Sequence, residues 1–274
     1  MFKIIIMALL IFIGMVGYDN ITDKAQPTTP VQQEQQKISK HEKSAAMALF
    51  TSLLPPKEEW PSPVHKFYLA FNMDEVIEPI RQNPNWTGLD AMSRDIPQAL
   101  IAIEDHAFYN HGAIAVEGIL RAALANINAG EVVQGGSTLT QQFVKNVFLS
   151  HEQSMERKIE EAVLSLMLED NYSKDEILEL YLNTTYFGAG STGIKQASRT
   201  YFGKAPSALT LAEAAVIASL PYAPTSLNPL ENPEGCKKRQ LLVLAAMHKY
   251  GMINQGQLAE AKAEKIRLTN GTVM

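Results

Sequence analysis

Ser173-Lys174-Asp175-Glu176-Ile177-Leu178-Glu179-Leu180-Tyr181-Leu182 is the stretch whose reading decides the fold class. Ser173 followed three residues on by Glu176 is a capping box, in which each side chain satisfies a backbone N–H that a helix start would leave bare. Ile177, Leu178, Tyr181 and Leu182 then fall at helical spacing. Moving outward, Thr210-Leu211-Ala212-Glu213 repeats the box and opens LAEAAVIASL, which Pro221 ends. Asn232-Pro233 is an N-cap and N1 pair for a helix running to Tyr250, with Gly251 as its stop. Upstream, Ser137 is expected to cap a helix with Leu139, Phe143 and Val147 on one side, and Ile159, Val163 and Met167 give the apolar stripe of the next. No long period-2 alternation occurs. The expected class is mostly α.

Length and composition fit that class. The chain has 274 residues, 46% of them hydrophobic and 19% charged, enough apolar surface for a packed core and incompatible with global disorder. The net charge is −5 without a basic block, which argues against a nucleic-acid partner. Cys236 is the one cysteine, so an internal disulfide and any C-x-x-C site are excluded. Residues Met1 to Gly17 carry one charge, Lys3, ahead of an apolar run that ends before Asp19. This pattern reads as a single-pass membrane anchor or signal segment over residues 1–18, with the remainder outside the cytoplasm. Residues 19–56 read as a flexible linker, rich in Gln, Pro and Thr over Lys24 to Lys40, with a possible short helix at Ala45 to Leu54. The folded domain is expected over residues 57–274.

Some short motifs lead nowhere. Gly188-Ala-Gly190-Ser-Thr-Gly193 matches a dinucleotide fingerprint, but a helix precedes it where a strand is required. His41-Glu42 and His151-Glu152 lack the second histidine of a zinc motif. No S-x-x-K and no K-T-G occurs, so acyl-serine transpeptidase and penicillin-binding activity are not expected.

Four segments carry candidate chemistry. Glu104-Asp105 closes the apolar run ALIAI, which suits an ordinary C-terminal turn with solvated acids or a carboxylate at a cleft wall, where it becomes basic enough to act. Gly135-Gly136-Ser137-Thr138 opens a helix on which Gln142 and Lys145 share a face, an arrangement that suits a phosphate or equally a capped surface helix. Arg157, Lys158 and Glu161 lie at i, i+3 and i+4 spacing, which also suits a plain ion-paired surface. Tyr181 to Gly190 with Gly193-Ile194 and Tyr201-Phe-Gly-Lys204 suits either a sugar-binding loop or a tight packed turn.

Taken in order, these segments match E-D-x-x-F-x-x-H, G-G-S-T-x-x-Q-Q-x-x-K-N, R-K-x-x-E and Y-L-N-x-x-x-F-G-x-G-x-x-G-I…Y-F-G-K, and Leu209 to Pro229 adds L-x-x-x-E-x-A-x-[IL]-A…P-x-x-x-N-P. From about Asp95 to Tyr250 the chain resembles glycosyltransferase family 51, the peptidoglycan glycosyltransferases, which occur as monofunctional enzymes and as the first domain of class A penicillin-binding proteins. The resemblance implies a lysozyme-like domain with a small membrane-facing lobe beside the cleft. It implies polymerisation of lipid II at the outer or periplasmic face of the cytoplasmic membrane, with inversion and release of undecaprenyl pyrophosphate.

Carried over by position, Glu104 is the general base and Glu161 a second acid that assists the pyrophosphate or its metal. Lys145, Arg157 and Lys158 resemble pyrophosphate contacts, and Phe108, Gly136, Ser137, Thr138, Gln142 and Asn183 resemble residues lining the cleft. The partners implied are lipid II, the growing glycan chain, the membrane and other wall-synthesis proteins. No cofactor is required, with a divalent cation possible near the pyrophosphate. One base plus a cation cluster matches an inverting displacement with an anionic leaving group. The chain departs from the family pattern at Ala113 and Ala115, where Gly and Asp are usual, and at Gln153, where an Arg is usual. The competing readings are a glycan hydrolase or lytic transglycosylase, for which the cation cluster has no use, and a non-catalytic wall-binding protein.

Overall fold

A computed structural model describes residues 68–69, 72–118, 136–149 and 154–274. The expected anchor, linker and short helix at 45–54 lie outside the described residues, as does Gln153. Ala70–Met274 forms one compact unit. Its described helices are α1 (Asp74–Arg81), α2 (Asp95–Glu104), α3 (Leu139–Phe148), α4 (Met155–Asn171), α5 (Lys174–Thr184), α6 (Ile194–Phe202), α7 (Leu211–Ser219), α8 (Pro233–Lys249) and α9 (Gln255–Ala263). No strand is formed among the described residues, only two isolated antiparallel bridges, Tyr186 with Thr192 and Arg267 with Val273. The mostly α expectation therefore holds.

Two packed groups of helices make the core. In one, α7 packs against α2 and α8, and α8 against α9. Ala212 to Ser219 of α7 are all buried, since alanines at 212, 214, 215 and 218 let neighbours approach on every side. In the other, α3 packs against α4 and α5. Helix α2 belongs to the first group and α3 to the second, and the functional side chains gather where the end of α2 meets the start of α3.

The caps form as the sequence dictates. Ser173 and Glu176 close a full capping box on α5, and Thr210 and Glu213 do so on α7. Asn232 accepts from the Gly235 N–H with Pro233 in the first turn of α8, and Gly251 takes φ +73 past its end. Two details differ from expectation. The cap of α3 is Thr138, which forms a box with Gln141, and Ser137 stands outside the helix. The stripe on α4 holds only in part: Met167 is buried and Val163 half-buried, but Ile159 is exposed, and the buried face also takes in Glu161, Leu164, Ser165 and Leu168. Periodicity counts only apolar residues and so left out Glu161, which is buried beside Leu164 and Leu168.

Several motif residues prove to be structural. Lys204 of the Y-F-G-K segment donates to Oε1 of Glu213 at 2.6 Å, and Oε2 of the same buried carboxylate accepts the Thr210 N–H at 3.0 Å. Gly188 has φ +87, and a Cβ there would sit 2.3 Å from the Pro224 carbonyl, so this glycine serves close chain approach and not a nucleotide. Glu213→Ala removes both the cap and the ion pair. It should destabilise the protein by about 1–3 kcal/mol, lowering the urea midpoint at unchanged m-value. A midpoint equal to wild type would show that Glu213 does not hold α7 in place.

Candidate active site

Glu104 is the last residue of α2. Asp105 follows with φ −157 and ψ 70, which breaks the helix. The two acids of this pair have opposite fates. Asp105 is buried and both its oxygens are spent: Oδ2 accepts the Leu139 N–H at 3.0 Å, and Oδ1 lies 2.6 Å from His111 Nε2. His111 Nδ1 faces the Gly112 carbonyl at 2.6 Å. Asp105 therefore pins the start of α3 to the end of α2, and Glu104 is the acid left for chemistry.

Glu104 Oε2 accepts from Gln142 Nε2 at 3.0 Å, and Oε1 of the same amide accepts from the Tyr181 hydroxyl at 3.0 Å. Oε1 of Glu104 has no hydrogen-bond partner among the described residues. Burial lifts the Glu104 carboxyl above its ordinary value; the Gln142 bond, Arg239 and Lys145 pull the other way, and Asp105 adds to the rise. A carboxylate at a helix C-terminus also faces the negative end of the dipole. The result is a carboxylate that is more basic than usual and held in place, which suits a general base.

A second cluster stands on α4 and reaches Ser137, just ahead of α3. Glu161 is 2% exposed and ion-pairs with both Arg157, at 3.2 Å, and Lys158. Lys158 Nζ also donates to the Ser137 hydroxyl at 3.0 Å. Nε of Arg157 is buried without a partner, and the Lys158 ammonium is part exposed. These unspent donors leave a net positive site suited to an anion. Ser137, just ahead of α3, and Gln142, in its first turns, thus bring the second cluster and Glu104 to neighbouring parts of one segment.

A divalent cation is not well served by these residues. Both carboxylate oxygens of Glu161 are taken by cations, and no group of three or more His, Cys, Asp or Glu gathers among the described residues. The charge that would meet an anion here is that of Arg157 and Lys158.

The remaining expected site residues divide. Lys145 is exposed on α3 and makes no hydrogen bond among the described residues, but its charge reaches Glu104. Gly136 is half-buried ahead of Ser137. Phe108, Thr138 and Asn183, expected to line the cleft, are committed to the fold. Phe108 is fully buried beneath the Lys174 ammonium, 4.5 Å from the ring centroid. Thr138 is buried and donates to the Ala113 carbonyl at 2.7 Å. Asn183 exchanges two bonds of 2.9 Å with the backbone of Thr87 and donates to the Glu179 carbonyl. Ala113 is buried, and among described non-glycine residues only Ala189 has positive φ, so Ala113 needs no glycine. Arg239 on α8 was not anticipated. Its guanidinium lies 4.1 Å from the Tyr222 ring centroid, its Nε is buried and unpartnered, and its charge acts on Glu104. The signal was in the sequence: position 239 is three after Cys236 and four before Val243, both buried, so an arginine stands beside an apolar stripe.

Comparison with known proteins agrees with this arrangement. The transglycosylase family model matches residues 73–248. A Cupriavidus necator protein carrying a provisional transglycosylase description is 41% identical over 194 residues, covering 71% of this chain and 84% of that protein. Penicillin-binding protein 1A of Neisseria flavescens is 44% identical, covering 68% of this chain and 23% of its own length. Penicillin-binding protein 1A of Aquifex aeolicus is also 44% identical, covering 64% of this chain and 24% of its own. This chain thus spans about a quarter of those two penicillin-binding relatives. It belongs to the transglycosylase family.

The raised Glu104 value has a consequence for stability. Relative to the unfolded chain, the folded chain favours the protonated acid. The stability gained from that preference is full below the ordinary carboxylate value and is lost as pH rises through the raised one. Glu104→Gln, neutral at every pH, should therefore melt above wild type at about pH 7.5, and the gap should close below about pH 4. Equal melting temperatures across that range would contradict a charged, desolvated Glu104.

Proposed function

We propose that this protein is a peptidoglycan glycosyltransferase that polymerises lipid II, with a lysozyme-like catalytic domain. The observation that carries the reading is one basic carboxylate, Glu104, and one anion-ready cation cluster, Arg157 and Lys158, tied to neighbouring residues of one segment, Glu104 through Gln142 and Lys158 through Ser137. Family membership and the named penicillin-binding relatives support it.

In this reading the 4-hydroxyl of the acceptor sugar lies at the free Oε1 of Glu104. The carboxylate takes the hydroxyl proton as the oxygen attacks C1 of the growing chain, and the C1–O bond to pyrophosphate breaks on the opposite face. The anomeric centre inverts. The electron pair leaves on undecaprenyl pyrophosphate, whose charge is met by Lys158, Arg157 and Lys145. No proton donor is needed for a leaving group that departs as a stable anion. A glycan hydrolase would have no anion to hold, and so no use for this cluster.

Membrane attachment through residues 1–18, with the catalytic domain on the outer or periplasmic face, is part of the same proposal. No described helix is long and apolar enough to cross a membrane. Monofunctional action is also proposed, on the absence of S-x-x-K and K-T-G. A fluorescent penicillin should leave no covalent, boil-resistant band.

Polymerisation of labelled lipid II by the purified full chain tests the central reading. Wild type should yield glycan polymer. Glu104→Gln should lower turnover by about 10²-fold or more. Lys158→Ala should weaken binding of a pyrophosphate-bearing lipid by roughly 10- to 100-fold, the effect of one charge-assisted contact. A wild type that cleaves glycan strands and leaves lipid II untouched would overturn the assignment.

A further inference from the structure

Tyr181 is 1% exposed, and its hydroxyl lies 3.0 Å from Gln142 Oε1. Gln142 Nε2 in turn lies 3.0 Å from Glu104 Oε2. The polarity of this chain is fixed from its charged end. An ionised carboxylate only accepts, so the amide must turn its NH2 toward Glu104. Its carbonyl must then face Tyr181, and the phenol must donate. Burial raises Tyr181 well above the ordinary phenol value, and the charge of Glu104 adds to the rise, so the hydroxyl keeps its proton.

A glutamine side chain has two nearly isosteric orientations about its last bond. Turned the other way, Gln142 would set a carbonyl dipole against the carboxylate. Gln142 is on α3 and Tyr181 is on α5, two helices that pack together, so the donor is delivered by the fold and not by sequence proximity.

We propose that Tyr181 is a positioning residue for the reaction: by donating to Oε1 of Gln142 it locks the amide with its NH2 on Glu104, which holds the base ionised and aimed. The proposal rests on Glu104 acting as the general base. The charged and titratable groups facing Glu104 are Lys145 from α3, Arg239 from α8, Asp105 beside it in the chain and Tyr181 from α5. The first two are unaffected by loss of the Tyr181 hydroxyl. What changes is the amide, free to turn once its carbonyl has no donor.

The test reads Glu104 directly. Full-length protein in detergent micelles, labelled with 13C at the glutamate carboxyls, is titrated by NMR. The Glu104 resonance is identified as the one missing in Glu104→Gln. Tyr181→Phe, which keeps the ring and the packing, should raise the Glu104 midpoint by about one pH unit. Gln142→Met, which cannot hydrogen-bond to the carboxylate, should raise it by at least as much. The double variant should move no further than Gln142→Met alone, because Tyr181 acts only through the amide. The acid limb of lipid II polymerisation should move in parallel, toward higher pH.

An unmoved Glu104 midpoint in Tyr181→Phe overturns the proposal, even where melting temperature falls, since that pattern is what a packing role gives. A double variant whose shift is the sum of the singles overturns it as well. The titration needs no turnover, so a wild type inactive on lipid II would sink the proposed function without obscuring the Tyr181 result.

Discussion

The contact between Asp105 and the first N–H of α3 is the constraint on which the site depends. A helix start leaves N–H groups unpaired, and a buried one must find an acceptor. Here the acceptor comes from the residue that ends another helix. One carboxylate thereby follows α2, accepts from the first N–H of α3 and lies against His111. Because Asp105 is fixed, its neighbour Glu104 is fixed, and because α3 is started there, Gln142 arrives one turn later beside Glu104. Loss of the Asp105 carboxylate would therefore disturb the base without touching it.

Helix α3 also sets the spacing of the site. Ser137, just ahead of it, is tied to Lys158, and Gln142, at the end of its first turn, is tied to Glu104. An inverting displacement needs the base and the leaving-group cations on opposite sides of one carbon. The capping box of Thr138 and Gln141 fixes the turn from Ser137 into α3, and so the relative placement of Ser137 and Gln142.

Glu161 solves a different problem. Two adjacent cations repel each other and would wander in water. A buried carboxylate between them costs desolvation, offset by two ion pairs. The cluster keeps a net positive charge, and the direction of Lys158 is settled by its further bond to Ser137. Arg157 keeps a buried Nε with no partner, a donor left for whatever anion enters. The same logic, a buried acid organising a lysine, recurs in Glu213 and Lys204, where it serves the fold alone.

The sequence by itself determined the helices and most of their ends. Capping boxes, Asn232-Pro233 and Gly251 act within a few residues, and local rules read them correctly. It also marked Glu104, Gln142, Lys145, Arg157, Lys158 and Glu161 as the chemistry-bearing groups. It could not separate these from motif residues that serve packing. Phe108, Thr138 and Asn183 carry the same motif weight, but their partners, Lys174, Ala113 and Thr87, are remote in the chain. Nor could periodicity place the whole core face of α4, because a buried Glu161 is invisible until Arg157 and Lys158 are seen to neutralise it. Arg239 and the role of Tyr181 depend on helices α8 and α5 arriving beside α2 and α3. Local structure was legible because its hydrogen bonds close over three or four residues; the division of labour among the polar groups was decided only by tertiary contacts, since a side chain's role depends on which of its donors and acceptors the fold has already used.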